Sequence, residues 1–386
     1  MTTVAKNISS TDTRSVAAEP IRVLLAAGGT GGHVYPAIAI ANAVRNFDTR
    51  SKILFVGTRD RMEWEAVPKS GYDIKSVWIS GFHRRLTPQN LLFPFKLLTS
   101  IIQSYSILKS FKPDVMVACG GFAAGPVGWV AAKLGIPIVI QEQNSYPGVT
   151  NRLLAKHAAS IFIAFEDAKQ FFPKENITLS GNPVRGELTA ADPESALTFF
   201  GFNNQSPVLL ILGGSGGALA LNRIMKEKID ELHNRDGLQI IWQCGKRYYE
   251  DLAREIDLES YPNLRLMEYI DDMPAAYGAA DLVVTRAGAG TCSELMILGQ
   301  PAVLVPSPNV AGDHQAKNAK SMVEAGAAVL LPENELDDKF TSTITSLIEN
   351  EYKLREMSEA MLSLAKPDAA NTIAKEIYNI AQKQEA

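Results

Sequence analysis

The sequence predicts an α/β protein of two similar domains, each opening with a buried strand, a glycine turn and a helix. Three observations carry this. The apolar run IRVLLAA at 21–27 leads into GGTGGH at 28–33, and PVLLIL at 207–212 leads into GGSGGA at 213–218. The two turns stand 185 residues apart in a chain of 386, so one device occurs twice at about half-chain spacing. Short apolar runs then alternate with helical periodicity in both halves, the pattern of parallel strands joined by helices.

Taken in order, residues 1–20 are Ser/Thr-rich without an apolar core and read as a loose tail, not a secretory signal. The first domain spans 21–185. Its helical stretch runs through Val44, and further strand-like runs lie near 52–57, 114–118, 137–141 and 160–164. Val115 to Ala132 carries no charge over 18 residues, nominally enough for a spanning helix. Gly120, Gly121, Gly125, Gly128 and Pro126 fit a strand, a glycine turn and a small-residue helix better, so no transmembrane helix is expected. GNPVRGEL at 181–188 follows the strand-like ITLSG and is rich in turn formers. It marks the domain junction, with a linker running toward residue 206. The second domain spans 186–365, with a helical stretch through Met225 and runs near 238–244, 281–284, 302–305 and 328–331. The stretch 351–386 is charged and helical in pattern, interrupted at Lys366-Pro367. Residues 366–386 then form a C-terminal helix in a position to pack back on the N-terminal domain.

Composition excludes whole classes. The chain is 46% hydrophobic and 21% charged, ordinary for a globular protein and unlike a disordered chain, a collagen or a disulfide miniprotein. Cys119, Cys244 and Cys292 are scattered, which indicates neither a disulfide framework nor a zinc site and suits a reducing cytoplasm. A net charge of -4 argues against bulk nucleic-acid binding. The charge is unevenly spread: 19 Lys+Arg face 10 Asp+Glu in 21–185, against 17 and 30 in 186–386. A basic half joined to an acidic half points to different partners for the two.

The glycine turns suggest phosphate chemistry. A tight turn after a parallel strand needs positive φ or close backbone approach, and the helix that follows aims its amides and positive dipole end at the ligand. Thr30 and Ser215 add hydroxyl donors at matching places. Two turns suggest two phosphorylated ligands facing each other across a cleft. Neither turn continues to Gly-Lys-Ser/Thr, so this is not a Walker A site, and neither is GxGxxG. Asp48, 20 residues after Gly28, leaves a dinucleotide site open on spacing in the first unit; Arg235 and Asp236 give no clean counterpart in the second.

A third turn, CGGFAAGPVG at 119–128, and QEQN at 141–144 end neighbouring strand-like runs. Strand ends of one parallel sheet converge, so His33, Phe122, Glu142, Gln143 and Asn144 are expected to line one pocket with the first turn. His33 suits a phosphate contact, a base or a helix cap. In TRAGAGTCSE at 285–294, Arg286 is a candidate anion ligand, and Ala287 to Gly290 let a ligand approach the backbone. Thr291 and Ser293 are donors at a helix start. Glu294 suits a vicinal diol or the helix dipole. In GDHQAKNA at 312–319, Gln315 suits sugar hydroxyls or a solvated cap. In FHRRLTPQNLLFPFKL at 82–97, Arg84, Arg85 and Lys96 bracket Leu91, Leu92, Phe93 and Phe95. That describes an anchor on anionic lipid or a buried loop with a basic rim.

GGTGGHVYPAIAIA, the GGF-GP turn, EQN, GNPVR, GGSGGA and TRAGAGTCSE, in this order, resemble the MurG family of glycosyltransferases (glycosyltransferase family 28) from about residue 21 to the C-terminal helix. The resemblance implies the GT-B fold, two Rossmann-like domains facing across a cleft. It implies transfer of GlcNAc from UDP-GlcNAc to the C4 hydroxyl of undecaprenyl-diphospho-MurNAc-pentapeptide (lipid I), with inversion, giving lipid II and UDP. It assigns UDP-GlcNAc to Ser215, to Ile270 through its backbone, to Ala289, Gly290, Thr291, Cys292 and Ser293, to Glu294 for the ribose and to Gln315 for the sugar. Thr30, Gly31, Gly32, Asn144 and Arg185 join from the facing side. The acceptor falls to Gly28, Gly29, Gly120, Gly121, Phe122, Glu142 and Gln143, with His33 as candidate base. Arg84, Arg85, Leu91, Leu92, Phe93, Phe95 and Lys96 would meet the membrane. The resemblance also implies a peripheral place on the cytoplasmic face of the bacterial inner membrane, among other cell-wall synthesis and division proteins. Two positions depart from the family: Phe122 stands where Tyr is frequent, and Gln141 where His is frequent, which shifts proton transfer toward His33. No DxD-like Mg²⁺ motif stands at a loop, Asp271-Asp272 lying in the uracil segment, so no cofactor and no obligatory metal are expected.

Three other functions remain open to the sequence. A UDP-GlcNAc 2-epimerase on the same fold would need cleft carboxylates and no membrane patch. A nicotinamide oxidoreductase would rest on the glycine turns alone. A non-catalytic sugar-nucleotide sensor would bind the donor and turn nothing over.

Overall fold

The computed structural model describes residues 20–59, 61–81, 92–173, 175–184, 192–214, 216–235 and 237–383. Of the residues singled out above, Arg84, Arg85, Leu91, Arg185, Ser215 and Asp236 lie outside these ranges, as do residues 1–19.

The N-terminal sheet contains β1 (Arg22–Ala26), β2 (Lys52–Gly57), β3 (Asp73–Ser76), β4 (Val115–Ala118), β5 (Ile138–Glu142), β6 (Ala158–Ile163) and β7 (Ile177–Leu179). The C-terminal sheet contains β8 (Val208–Leu212), β9 (Gln239–Gln243), β10 (Leu264–Met267), β11 (Leu282–Thr285), β12 (Ala302–Leu304) and β13 (Ala328–Leu330). Their orders are β3-β2-β1-β4-β5-β6-β7 and β10-β9-β8-β11-β12-β13. Every pairing is parallel. The helices are α1 (Gly31–Phe47), α2 (Glu63–Lys69), α3 (Phe93–Phe111), α4 (Ala124–Lys133), α5 (Val149–Leu154), α6 (Pro193–Phe200), α7 (Leu219–His233), α8 (Lys246–Glu255), α9 (Met273–Ala279), α10 (Ala289–Leu298), α11 (His314–Glu324), α12 (Leu336–Ile348), α13 (Glu351–Leu364) and α14 (Ala369–Gln382).

The sequence reads directly into these elements where burial is two-sided. β1, β4, β5 and β8 are buried along nearly their whole length and apolar apart from Arg22 at the start of β1 and Gln141 and Glu142 at the end of β5, because helices cover both faces of a parallel sheet. Helix α7 puts Leu221, Ile224, Met225, Ile229 and Leu232 on one stripe against the sheet. At α6, Asp192 caps the start by accepting the Ser195 amide at 2.9 Å, Pro193 opens the first turn, and Gly201 closes it at φ 64. β3 and β10 carry no continuous apolar run. Both are sheet-edge strands with half-exposed faces, and the runs above do not include them.

Each sheet is a two-sided core. Helices α1 and α14 cover one face of the N-terminal sheet, and α3, α4 and α5 the other. Helices α7, α8 and α12 cover one face of the C-terminal sheet, and α6, α9, α10 and α11 the other. Helix α14, last in the chain, buries Ile373, Ala374, Ile377, Ile380 and Ala381 in the N-terminal core. Tyr378 fastens it, with its hydroxyl 2.5 Å from Ser51 Oγ and its ring against Phe47. The two domains also touch directly. The Ser145 amide and hydroxyl both donate to Asn318 Oδ1, at 3.0 and 2.9 Å, and Ser321 Oγ donates to Asp167 at 2.7 Å. Among the described residues no helix is long and apolar enough to cross a membrane.

One topological fact positions the site. β1 lies between β2 and β4, and β8 between β9 and β11. The chain moves outward on one side of each opening strand and then returns to its other side. The loops after β1 and β4 therefore open a crevice, as do those after β8 and β11.

Candidate active site at the facing glycine turns

On the N-terminal side the first and third glycine turns interlock. Gly120 and Gly121 have φ of +98 and +83. A Cβ on Gly120 would sit 2.6 Å from His33 Cδ2, and one on Gly121 2.3 Å from the Gly28 carbonyl oxygen. Only glycine permits both the backbone angle and the approach. Thr30 stands at the N-cap of α1 in extended conformation, with its hydroxyl 3.1 Å from His33 Nδ1. Burial, and then the charge of His314 on the facing domain, lower the His33 pKa from 6.5 to about 4. The Glu63 carboxylate and a hydrogen bond to the Gly28 backbone oppose that shift. His33 is therefore neutral at physiological pH and able to accept a proton.

Glu63 is the residue that sequence reasoning missed. It is 1% exposed. Its carboxylate accepts the Gly29 amide at 3.1 Å, the Thr58 amide at 3.0 Å and the Thr58 hydroxyl at 2.7 Å. Gly28 and Gly57 make room for it, since a Cβ on either would lie 2.7 Å from its side chain. A Glu opening a short helix carries no motif. Its signal was in the flanking sequence only as an acidic first-turn residue.

On the C-terminal side two adjoining cavities share Gly214, Thr285, Gly288 and Thr291. One, about 330 Å³, lies between the domains: Gly31, Gly32 and Tyr35 face Ile270, Ala289, Gly290 and Glu294 across it. The Tyr277 hydroxyl donates to Glu294 Oε2 at 3.0 Å and fixes that carboxylate at the cavity wall. The other, about 740 Å³, is lined by the second glycine turn, Arg286 and Gln315. Gln315 accepts the Ser307 amide at 2.8 Å, which leaves its Nε2 as its donor. Helix α10 begins at Ala289 after Gly288, so its first amides point toward both cavities.

Several residues singled out from the sequence are engaged elsewhere. Arg286 is ion-paired with Glu333 and donates to the Val305 carbonyl, so its charge is already matched. Ser293 Oγ bonds back to the Ala289 carbonyl at 2.9 Å and offers no donor to the cleft. Cys292 is fully buried on the inner face of α10, and the Ile270 side chain belongs to the core, so either reaches a ligand through backbone alone. Glu142 and Gln143 are each 1% exposed and do not line the pocket with side-chain atoms. Glu142 accepts from the Asn144 and Gly148 amides and from Asn151, and burial raises its pKa despite them. Gln143 donates to the Cys119 carbonyl at 2.7 Å and, closely, to Gln141. The Glu142 carboxylate is drawn inward because the loop amides around it need an acceptor, and Gln143 because its side chain gives the Cys119 carbonyl a donor. Asn144 sits at the domain contact beside Asn318. Asp48 closes on Arg50 at the far end of α1, away from the crevice. Of the basic-apolar segment, Leu92 and Phe95 are exposed, Phe93 is half-buried, and Lys96 donates to Ser80 at 3.0 Å. Phe95, Leu98, Ile102 and Tyr105 continue one exposed apolar stripe along α3.

Two Rossmann-like domains, all-parallel and facing each other at paired glycine turns, define the GT-B class of glycosyltransferases. The Glycosyltransferase family 28 N-terminal domain matches residues 23–163, and the Glycosyltransferase family 28 C-terminal domain matches residues 208–373. The chain belongs to glycosyltransferase family 28. It is 46% identical over 370 residues to the UDP-N-acetylglucosamine--N-acetylmuramyl-(pentapeptide) pyrophosphoryl-undecaprenol N-acetylglucosamine transferase of Flavobacterium psychrophilum, covering 95% of this chain and 100% of that one. To the protein of that description from Salinibacter ruber it is 47% identical over 361 residues, covering 94% and 97%. The crystal structure of Acinetobacter baumannii MurG superposes with a TM-score of 0.75 at 30% identity, covering 93% of this chain and 100% of that one. A UDP-N-acetylglucosamine 2-epimerase structure, at 14% identity and a TM-score of 0.65 over 96% and 98% of the two chains, shares the fold alone.

Proposed function

We propose that this protein transfers GlcNAc from UDP-GlcNAc to the C4 hydroxyl of undecaprenyl-diphospho-MurNAc-pentapeptide, giving lipid II and UDP. The observation that carries the reading is the cavity in which Gly31 and Gly32 of one domain face Ala289, Gly290 and Glu294 of the other. A donor held by the second domain there presents its sugar to the first, next to a neutral histidine. The exposed apolar stripe of α3 favours a lipid acceptor over the epimerase reading, which has no use for it.

In this reading the donor lies in the two C-terminal cavities. Backbone at Ile270 meets uracil, Glu294 holds the ribose hydroxyls, and Gln315 reaches the GlcNAc hydroxyls. Amides at the second turn and at the start of α10 take the diphosphate. They supply positive field in a half with excess acidic residues, where side chains do not. The acceptor oxygen attacks the anomeric carbon from the side opposite UDP, as the bond from that carbon to the β-phosphate oxygen breaks. UDP departs with the electron pair, stabilised by those amides and by the helix dipole. The hydroxyl proton passes to His33, whose imidazole Thr30 and the third glycine turn hold in place. The protein would work peripherally on the cytoplasmic face of the inner membrane, with α3 toward lipid and other cell-wall synthesis and division proteins nearby.

The test is incubation with labelled UDP-GlcNAc and a short-chain lipid I analogue, following label into lipid. Acceptor-dependent transfer is expected. Donor binding without transfer would favour a sensor, and no donor binding would overturn the reading of the C-terminal cavities.

A further inference from the structure

A third cavity, about 620 Å³, lies wholly in the N-terminal domain beside the first glycine turn. Gly29, Phe122, Ser76, Trp78 and, from α3, Gln103 are among its lining residues. Arg59 and Arg61 line it, both exposed. Among the described residues neither has a carboxylate partner (Asp60, between them in sequence, lies outside the described residues). Arg59 Nε donates to Ser76 Oγ at 3.2 Å, and its guanidinium carbon lies 6.0 Å from the centre of the Trp64 ring. Lys96 adds a third cation at the rim, bonded to Ser80 and 5.8 Å from the centre of the Trp78 ring.

We propose that this cavity, through Arg59 and Arg61, binds the diphosphate of the lipid-linked acceptor. The inference rests on the lipid-acceptor reading above and changes where that acceptor's charge is held. The first glycine turn cannot supply the Gly29 amide to a phosphate, because the buried Glu63 carboxylate already accepts it. That carboxylate also repels an anion placed on the turn. In this cavity the counter-charge on offer is that of the side chains, and planar guanidinium groups match phosphate oxygens in pairs.

Position agrees with this chemistry. The acceptor's covalent order is lipid, diphosphate, sugar, reacting hydroxyl. The cavity runs between α3, whose Phe95, Leu98 and Ile102 are exposed, and Gly29, four residues before His33. A diphosphate there has its lipid directed at α3 and its sugar at the cleft. The peptide stem also carries carboxylates, so the experiment must separate the two anions.

The experiment compares wild type with Arg61→Ala, Arg59→Ala and Arg61→Lys, using two soluble short-chain acceptors. Both keep the diphosphate and MurNAc; one has the pentapeptide and the other lacks it. Arg61→Ala is expected to raise KM for both acceptors about tenfold or more, with KM for UDP-GlcNAc unchanged and partial recovery in Arg61→Lys. Arg59→Ala should act in the same direction. A rise confined to the pentapeptide acceptor would assign the cavity to peptide carboxylates and overturn the diphosphate assignment. Unchanged KM for both, with normal wild-type transfer, would overturn the cavity as an acceptor site. Absence of wild-type transfer to either would overturn the lipid-acceptor reading, and this inference with it.

Discussion

Glu63 Oε2 lies 3.1 Å from the Gly29 amide, so a buried carboxylate occupies the glycine turn that the sequence offers to a phosphate. The motif GGTGGH here builds a socket for an internal anion. The socket ties the turn, through Gly29, to Thr58 at the end of β2. The second turn, GGSGGA, opens instead onto a cavity of about 740 Å³. Two similar sequences therefore do different physical work.

Glu63→Ala takes the acceptor from the half-buried Gly29 and Thr58 amides, at a cost of about 1 kcal/mol for each. A lower melting temperature and a reduced kcat are expected. Glu63→Gln keeps the volume but removes the charge that raises the His33 pKa. The acid limb of the kcat/KM profile should therefore move to lower pH in Glu63→Gln. A purely structural Glu63 would leave that limb in place.

His33→Ala should lower kcat by about 10²–10⁴-fold with little change in UDP-GlcNAc affinity. Turnover close to normal would remove His33 as the base. In the wild type the pKa of about 4 places the protonation of His33 well below neutrality. If His33 acts as the base, activity should stay flat from pH 8 to about 5 and fall near 4. The linkage has a definite sign. The folded pKa is below the unfolded value of 6.5, so the unfolded chain binds more protons between the two. His33 thus contributes stability that is present above pH 6.5 and is lost as pH falls toward 4. Denaturant melts of wild type and His33→Ala over that range would reveal the difference.

Glu294→Gln should raise KM for UDP-GlcNAc about tenfold or more and leave the acceptor KM alone, since Glu294 faces the cavity shared with the donor-side turn. Tyr277→Phe removes only the 3.0 Å hydrogen bond that fixes Glu294. It should give a smaller rise in the same parameter. Equal effects on donor and acceptor KM would mean that Glu294 acts on domain packing instead.

Ile377→Ala should destabilise the N-terminal domain by about 2–5 kcal/mol, because this last helix buries Ile377 completely in that domain's core. Calorimetry should show the loss in the transition of the N-terminal domain. If only the C-terminal transition moves, α14 does not couple to α1 in solution.

Gly121→Ala is expected to abolish transfer. Its φ of +83 disfavours alanine, and the new Cβ would fall 2.3 Å from the Gly28 carbonyl oxygen, a backbone atom that cannot swing aside. Circular dichroism separates local damage at the turn from global unfolding.

The sequence by itself determined the class of fold. Two-sided burial makes β4, β8, β1 after Arg22 and β5 before Gln141 apolar runs, and the glycine turns after β1 and β8 are readable without coordinates. It also placed Gln315 and His33 at helix starts, since those positions follow strand ends by local rules; Glu294 falls one turn further into α10 than a first-turn residue. Edge strands β3 and β10 escaped, because one exposed face leaves no run to read.

What only the tertiary structure decided is how each polar group is spent. Glu142, Gln143, Ser293 and Arg286 look like ligands in sequence but satisfy neighbouring amides, carbonyls and Glu333. Glu63, with no motif around it, controls the first turn, and α14 returns across the whole chain to finish the first core. Local sequence fixes backbone conformation through steric rules that span a few residues. Hydrogen-bond satisfaction and burial depend on which partners folding brings near, from the same helix for Ser293 to a distant segment for Arg286 and Glu63, and they exist only once the chain has folded.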